Sequence, residues 1–157
     1  MTTPVPGLDR DEEILWRSLV EVIVRLPRVL DEQFDREAKV GLTDYSILVA
    51  LSEAPDGELR MGELAEAAGL SRSRVSRAVD DLVRRSLVTR RRSEQDARGA
   101  LAAITPDGLA VLEAAYPGHL ARVRELVLDH ITRSEMRTMT QVLARVLAAL
   151  RQPSDVD

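Results

Sequence analysis

Three residues near the middle of the chain constrain its fold more than any others. Ala65, Gly69 and Val75 stand at offsets of four and ten. That spacing suits two short helices joined by a tight turn. It gives a small residue where the helices touch, a glycine for a backbone conformation closed to other residues, and an apolar residue inside the second helix. The pattern predicts a first helix over 61–68, with Leu64 and Ala65 inward. A second helix is predicted over 72–85, capped by Ser71. The second helix is two-faced. Val75, Val79 and Leu82, helped by Ala78, point to a core, while Ser73, Arg74, Ser76, Arg77, Asp81 and Arg84 lie away from them. Residues 87–91 and 100–104 read as strands of a hairpin with a polar connection over 92–99. The unit is a helix-turn-helix followed by a basic wing.

The flanks are helical. Between about Asp11 and Lys39, apolar residues such as Leu15, Leu19, Val22, Ile23, Leu26 and Leu30 recur at steps of three and four. Pro27 predicts a bend or a break near residues 23–27. Thr43 is expected to cap a helix running to about Ser52, followed by a turn at 54–57 and a very short strand over 58–60. Thr105-Pro106-Asp107 reads as a helix start. Pro117-Gly118 is expected to bend or interrupt that helix, which resumes through Val127 and Ile131. Thr132 and Glu135 form a capping box for a final helix carrying Met136, Met139, Leu143, Val146, Leu147 and Leu150. The predicted class is mainly α with a small β wing (α+β). Three regions follow: an amino-terminal dimerisation helix over 9–40, a winged helix-turn-helix over 42–104 with recognition helix 72–85 and wing 87–104, and carboxy-terminal helices over 105–151 that complete the dimerisation region. Terminal helices this apolar have little else to cover within one subunit.

A net charge of −4 over 157 residues argues against a nucleic-acid partner until the charge is mapped. Residues 60–100 hold ten arginines against six acids, net +4, while residues 1–59 are net −7 and residues 101–157 net −1. A basic centre between neutral or acidic flanks steers DNA to one surface. The basic side chains are 21 Arg and one Lys, a bias expected of a GC-rich genome. The chain has no cysteine, which excludes disulfides and thiolate chemistry. His119 and His130 are eleven residues apart, about 16 Å along a helix, too far to share one ion. No phosphate-binding glycine loop and no acid–base partner for either histidine is evident, so no catalytic residue, metal or cofactor is expected. The absence of a long apolar run or leader pattern predicts a cytoplasmic protein with no membrane partner.

The stretch DARGALAAITPDG resembles the wing-to-helix signature of the MarR family of bacterial transcriptional regulators. Asp96, Arg98, Ile104, Thr105 and Gly108 match it, and ELAEAAGLSRSRVSRAVDDLVRRSLVTR resembles the family's motif helices and first wing strand. Gly99 departs from it, since many relatives carry a larger, often polar residue there. The resemblance covers nearly the whole chain and implies a homodimeric winged-helix protein whose second motif helix enters the major groove. It also implies that Arg98 lies at the wing tip and probes the minor groove, and that Asp96 pairs with an arginine to hold the wing.

On the residues themselves, Ser73, Ser76 and Arg77 are the candidates for base edges, and Arg72 and Arg74 for bases or phosphates. Arg90 and Arg92, on one face of the first wing strand, are further DNA-binding candidates. A two-fold dimer would set two recognition helices on successive major grooves, roughly 34 Å apart, so the operator is expected to be a pseudo-palindrome. Many family members release DNA on binding small, often aromatic acids. For an aromatic or phenolic ligand of that kind, Trp16, Arg17 and Tyr45 are the candidate pocket residues. The leading reading is a sequence-specific repressor of double-stranded DNA released by a small molecule. The alternatives are an effector-independent activator or architectural DNA-binding protein, or a winged-helix protein-interaction module.

Overall fold

The computed structural model describes residues 6–37, 40–92 and 100–151. The chain divides into two compact units, Met1–His119 and Leu120–Asp157. The first unit contains helix α1 (Arg10–Glu37), α2 (Leu42–Ser52), a 3-10 turn (Pro55–Gly57), strand β1 (Glu58–Arg60), α3 (Met61–Ala67), α4 (Arg72–Arg84), β2 (Val88–Arg92) and β3 (Ala100–Ile104). Helix α5 (Pro106–Leu126) begins there and ends in the second unit. The second unit continues with a 3-10 turn (Leu128–His130) and α6 (Arg133–Arg151). Fold class and element order agree with the mainly α, small-wing expectation.

Local chemistry accounts for most of the boundaries. Asp9 opens α1, its carboxylate accepting from the amides of Asp11 and Glu12 at 2.8 and 2.9 Å. Ser71 opens α4 by accepting from the Arg74 amide at 3.3 Å. Two helices close on a left-handed residue. Gly69 (φ +65°) ends α3, with the Leu70 amide donating to the Ala65 carbonyl and the Gly69 amide to that of Glu66. Ser86 (φ 62°) ends α4 the same way, through Leu87 to Leu82 and Ser86 to Val83. Each closure satisfies carbonyls that the helix leaves without a partner. Thr132 and Glu135 form the expected reciprocal cap of α6: the Thr132 amide donates to the Glu135 carboxylate at 2.8 Å, and the Glu135 amide to Thr132 Oγ1 at 3.3 Å. The Thr132 hydroxyl, donating to the Glu135 carboxylate at 2.6 Å, and then the Thr132 amide hold that carboxyl below its ordinary value.

Three expectations are corrected. Thr43 does not cap α2: the helix starts at Leu42, and the Asp31 carboxylate accepts from the Leu42 amide at 2.7 Å instead. Of the two outcomes expected at each of Pro27 and Pro117, a bend or an interruption, the interruption does not occur: α1 and α5 run through them. Both prolines and the residues four before them, Ile23 and Glu113, are exposed, so water can reach the carbonyls that lose a donor. Finally, α5 stops at Leu126 rather than continuing through Ile131, which leaves His130 in a separate turn.

The three strands form one antiparallel sheet in the order β1-β3-β2. Glu58 faces Ala103 across one side of β3, and Arg90 faces Ala102 across the other. The core lies where α2, α3, α4 and the sheet meet. Ile47, Leu48 and Leu51 of α2, Leu64 of α3, Val75, Val79 and Leu82 of α4, Val88 of β2 and Ala102 of β3 are all but inaccessible to solvent. Each fully buried aliphatic chain among them contributes about 1.5–3 kcal/mol. The start of α5 is tied to the end of α4 at one corner. Thr105 Oγ1 donates to the Ser86 carbonyl at 2.8 Å and accepts from the Gly108 amide at 3.0 Å. A Cβ on Gly108 would stand 2.1 Å from the Leu87 carbonyl oxygen, so only glycine lets the helix approach this closely. The Thr-x-x-Gly spacing is therefore the joint between the wing and α5.

Candidate nucleic-acid interface

Helix α4 presents two electrostatically different halves. Its first half carries Arg72, Ser73, Arg74 and Arg77 on exposed positions and Ser76 half-buried, opposite the buried Val75 and Val79. Arg72, Arg74 and Arg77 have no carboxylate partner among the described residues. Arg74 Nη2 donates to Thr43 Oγ1 on α2 at 3.0 Å, and Arg77 Nε donates weakly to the Ser73 carbonyl at 3.4 Å. Neither bond neutralises a guanidinium. The positive end of the helix dipole lies at the same place, so this half attracts phosphate.

In the second half the arginines are consumed by acids. Asp81 accepts from Arg84 at 2.7 Å and from Arg85 at 3.4 Å. Arg85 also donates to Asp44 on α2 at 2.9 Å. Burial pushes the Asp44 carboxyl above its ordinary value, against the opposing pull of Arg85. Asp81, on the outer face of α4, thus holds both Arg84 and Arg85. The two arginine contacts with Thr43 and Asp44 reach the first turn of α2 from opposite ends of α4. They fix the recognition helix to α2 independently of the apolar packing between them.

The wing arginines divide in the same way. Arg90 donates to Asp80 of α4 at 2.7 Å, and Arg91 donates to both carboxylate oxygens of Glu58 on β1 at 2.9 Å. Alternation along β2 thus sends neighbouring arginines to different elements. Arg90, a sequence candidate for DNA contact, is paired with Asp80 of α4 in this structure. Arg92 is exposed at the end of β2. Arg98, Asp96 and Gly99 lie outside the described residues. The acids that do hold the described part of the wing, Asp80 and Glu58, were missed from sequence. Asp80 was legible only as one more charge on α4, and Glu58 only as part of a three-residue strand.

The ligand candidates separate. Tyr45 is buried on α2, its ring centroid 4.6 Å from that of His119 on α5. It lines an open pocket of about 490 Å³ with residues of α2, α3, β1 and α5. Trp16 and Arg17 lie elsewhere, along an open groove on α1 with Val20, Glu21, Val24 and Arg25. Trp16 is 56% exposed, and Arg17 is paired with Glu13 at 2.6 Å. The structure does not bring Trp16 or Arg17 to Tyr45. Among the described residues there is no cluster of three metal-ligating side chains, and no helix long and apolar enough to cross a membrane.

Comparison with known proteins agrees with this geometry. The profile of the MarR family matches residues 39–99. The crystal structure of Sco3205, a MarR family transcriptional regulator from Streptomyces coelicolor solved in complex with DNA, superposes with a TM-score of 0.89. It is 35% identical, over 96% of this chain and 97% of that one. AbsC, another MarR family regulator from Streptomyces coelicolor, superposes with a TM-score of 0.86 at 31% identity, over 94% of this chain and 99% of its own. The transcriptional repressor YetL of Bacillus subtilis is 27% identical over 146 residues, 92% of this chain and 85% of its own length. With identity above 30% across nearly the full length of two such regulators, and a winged helix-turn-helix whose α4 carries arginines without a carboxylate partner among the described residues, the chain belongs to the MarR family of DNA-binding transcriptional regulators, which are not enzymes.

Proposed function

We propose that the protein is a homodimeric repressor that binds a pseudo-palindromic operator in double-stranded DNA and is released by a small molecule. The observation that carries the DNA reading is a division of the arginines: among the described residues Arg72, Arg74 and Arg77 of α4 lack acid partners, while Arg84 at the end of α4, Arg85 just beyond it and Arg90 of β2 have them. The first half of the helix would enter the major groove, with Arg77, Ser73 and Ser76 at base edges and Arg72 and Arg74 at bases or phosphates. Arg92 and Arg98 would contact the flanking backbone and minor groove. Arg90 would act indirectly, by holding the wing. Repression is favoured by the likeness to YetL, itself a repressor.

Dimerisation is supported by apolar surface left over on the terminal helices. On α1, Ile14, Leu15, Val22 and Ile23 are each more than half exposed, and on α6, Leu143, Leu147 and Leu150 are between 46% and 75% exposed. Patches of this kind mark association surfaces. Release by a ligand is supported by α2, which lines the Tyr45 pocket and, in the same first turn, accepts from Arg74 and Arg85 of the recognition helix. A ligand that favours one position of that turn would shift the population of α4 orientations.

The test is fluorescence anisotropy with duplex fragments spanning the gene's own upstream region, at two salt concentrations. Tight, salt-dependent binding to one palindromic fragment, well above a scrambled control, is the expected result. Arg77→Ala should cost about 1–3 kcal/mol of that binding. Equal, weak binding to all fragments, with no specific site in a genome-wide selection, would refute it.

A further inference from the structure

Charge is unevenly placed along α4. Residues 72–77 hold three arginines and no acid, whereas residues 78–85, which end on the helix cap, hold two arginines and two aspartates. The two aspartates face different partners. Asp80 accepts from Arg90 of β2 at 2.7 Å. Asp81 stays on the outer face of the helix, one turn beyond Arg77 on the same stripe. Its near partner is Arg84 at 2.7 Å, and its contact with Arg85 is longer, 3.4 Å.

Stability does not explain an acid at this position. The side chains of Arg84 and Asp81 are 75% and 40% exposed, so their pair is screened by water and holds little. Arg85 has a closer acid in Asp44, at 2.9 Å. Asp81 also stands in the last turn of α4, where the helix dipole disfavours a carboxylate. What the carboxylate does change is the field outside the helix. It cancels the charge that Arg84 would otherwise present on the stripe that carries Arg77.

We propose that Asp81 is a specificity-determining residue of the DNA interface and acts by repulsion. Its carboxylate keeps the second half of α4 from gripping phosphate, so that tight binding requires the contacts of Arg72, Arg74 and Arg77. Every DNA sequence offers phosphates, and a helix basic along its whole length would hold them indiscriminately. Specificity is a ratio of affinities, and an acid that weakens the wrong complex raises it without a new contact to the right one. The inference rests on the DNA-binding reading above and adds to it the residue that limits binding to other sequences.

Fluorescence anisotropy of the full chain tests it, on a scrambled duplex and on the fragment recovered by genome-wide selection, at about 50 and 200 mM salt. Two neutral variants, Asp81→Asn and Asp81→Ser, are expected to melt as the wild type does. Each should bind the scrambled duplex about threefold or more tightly at the lower salt, with a salt slope steeper by about 0.9 for each phosphate gained. The gain on the selected fragment should be smaller, so the ratio of the two affinities falls. Asp81→Glu, which keeps the charge, should retain the wild-type ratio. Glu113→Gln, the same charge change at an exposed position of α5, should retain it too. Three results would overturn the proposal: unchanged affinity and slope on the scrambled duplex in both neutral variants, the same effect from Glu113→Gln, or a fallen ratio in Asp81→Glu. A wild type that binds no duplex even at the lower salt removes the DNA reading and the proposal with it. A wild type that binds, with neutral variants that match it, removes the proposal alone.

Discussion

The packed centre and the terminal helices use the same aliphatic residues to opposite ends. In the centre, Leu48, Leu64 and Val79 are wholly buried, each against other elements of one chain. On the flanks, Leu15 is 70% exposed and Leu150 is 75% exposed, α6 has no buried residue at all, and the described part of α1 buries only Leu30. Periodicity alone made all of these segments look alike. The difference teaches that an apolar stripe specifies a helix and a face, but not whether the covering surface belongs to the same molecule. Here the centre is covered within the chain, while the described flanks leave their apolar faces exposed.

The largest test of that contrast pairs two truncations. Leu48→Ala should cost about 2–5 kcal/mol in urea unfolding at any protein concentration. Leu15→Ala should cost no more than about 0.5 kcal/mol in a monomer, yet weaken self-association measured by sedimentation. Equal losses from both would break the contrast. Gly108→Ala comes next. The added carbon would collide with the Leu87 carbonyl, so a loss of about 1–3 kcal/mol is expected, again independent of concentration.

A smaller effect of the opposite sign is expected at the end of α4. Ser86 is held at positive φ, which costs a side-chain-bearing residue more than it costs glycine. Ser86→Gly should raise stability by about 0.5 kcal/mol after the added freedom of the unfolded chain is counted. A loss would mean that the serine side chain contributes more than its backbone costs.

The smallest effect is a pH slope. The folded chain lowers the proton affinity of His119 below its ordinary pKa of 6.5, through burial. Below that value the unfolded chain therefore takes up a proton that the folded chain resists. This contribution to stability is complete above pH 6.5 and is lost as the pH falls through the folded value. Melting temperature against pH for the wild type and for His119→Gln should diverge in slope on the acid side of neutrality and run parallel above it. Parallel curves throughout would remove His119 from the buried wall of the Tyr45 pocket.

Much of the fold was legible because it is written in local chemistry. Ser71, Gly69, Thr105 and the Thr132–Glu135 pair each act within a few residues, through bonds that any helix end demands. The buried face of α4 was legible for a similar reason, since Val75, Val79 and Leu82 share one side at helical spacing. Errors arose where a local rule met an outside partner. Thr43 had the chemistry of a cap, but Asp31 reached the Leu42 amide first, from eleven residues away. Pro27 and Pro117 had the chemistry of breakers, but α1 and α5 continue through them at exposed positions.

By itself the sequence determined the motif spacing, the helix ends, the basic centre of the chain and which side chains of α4 face outward, because these follow from short-range geometry along one strand of backbone. Only the tertiary structure decided which arginines are neutralised and which remain available. Arg85 finds Asp44 across 41 residues, Arg91 finds Glu58 across 33, and Arg74 finds Thr43 across 31. Those pairings depend on how α2, α4 and the sheet cross, and that crossing is set by apolar packing in the core. Charge along the chain is a local property. The field at a surface is a property of the packed elements that surround it.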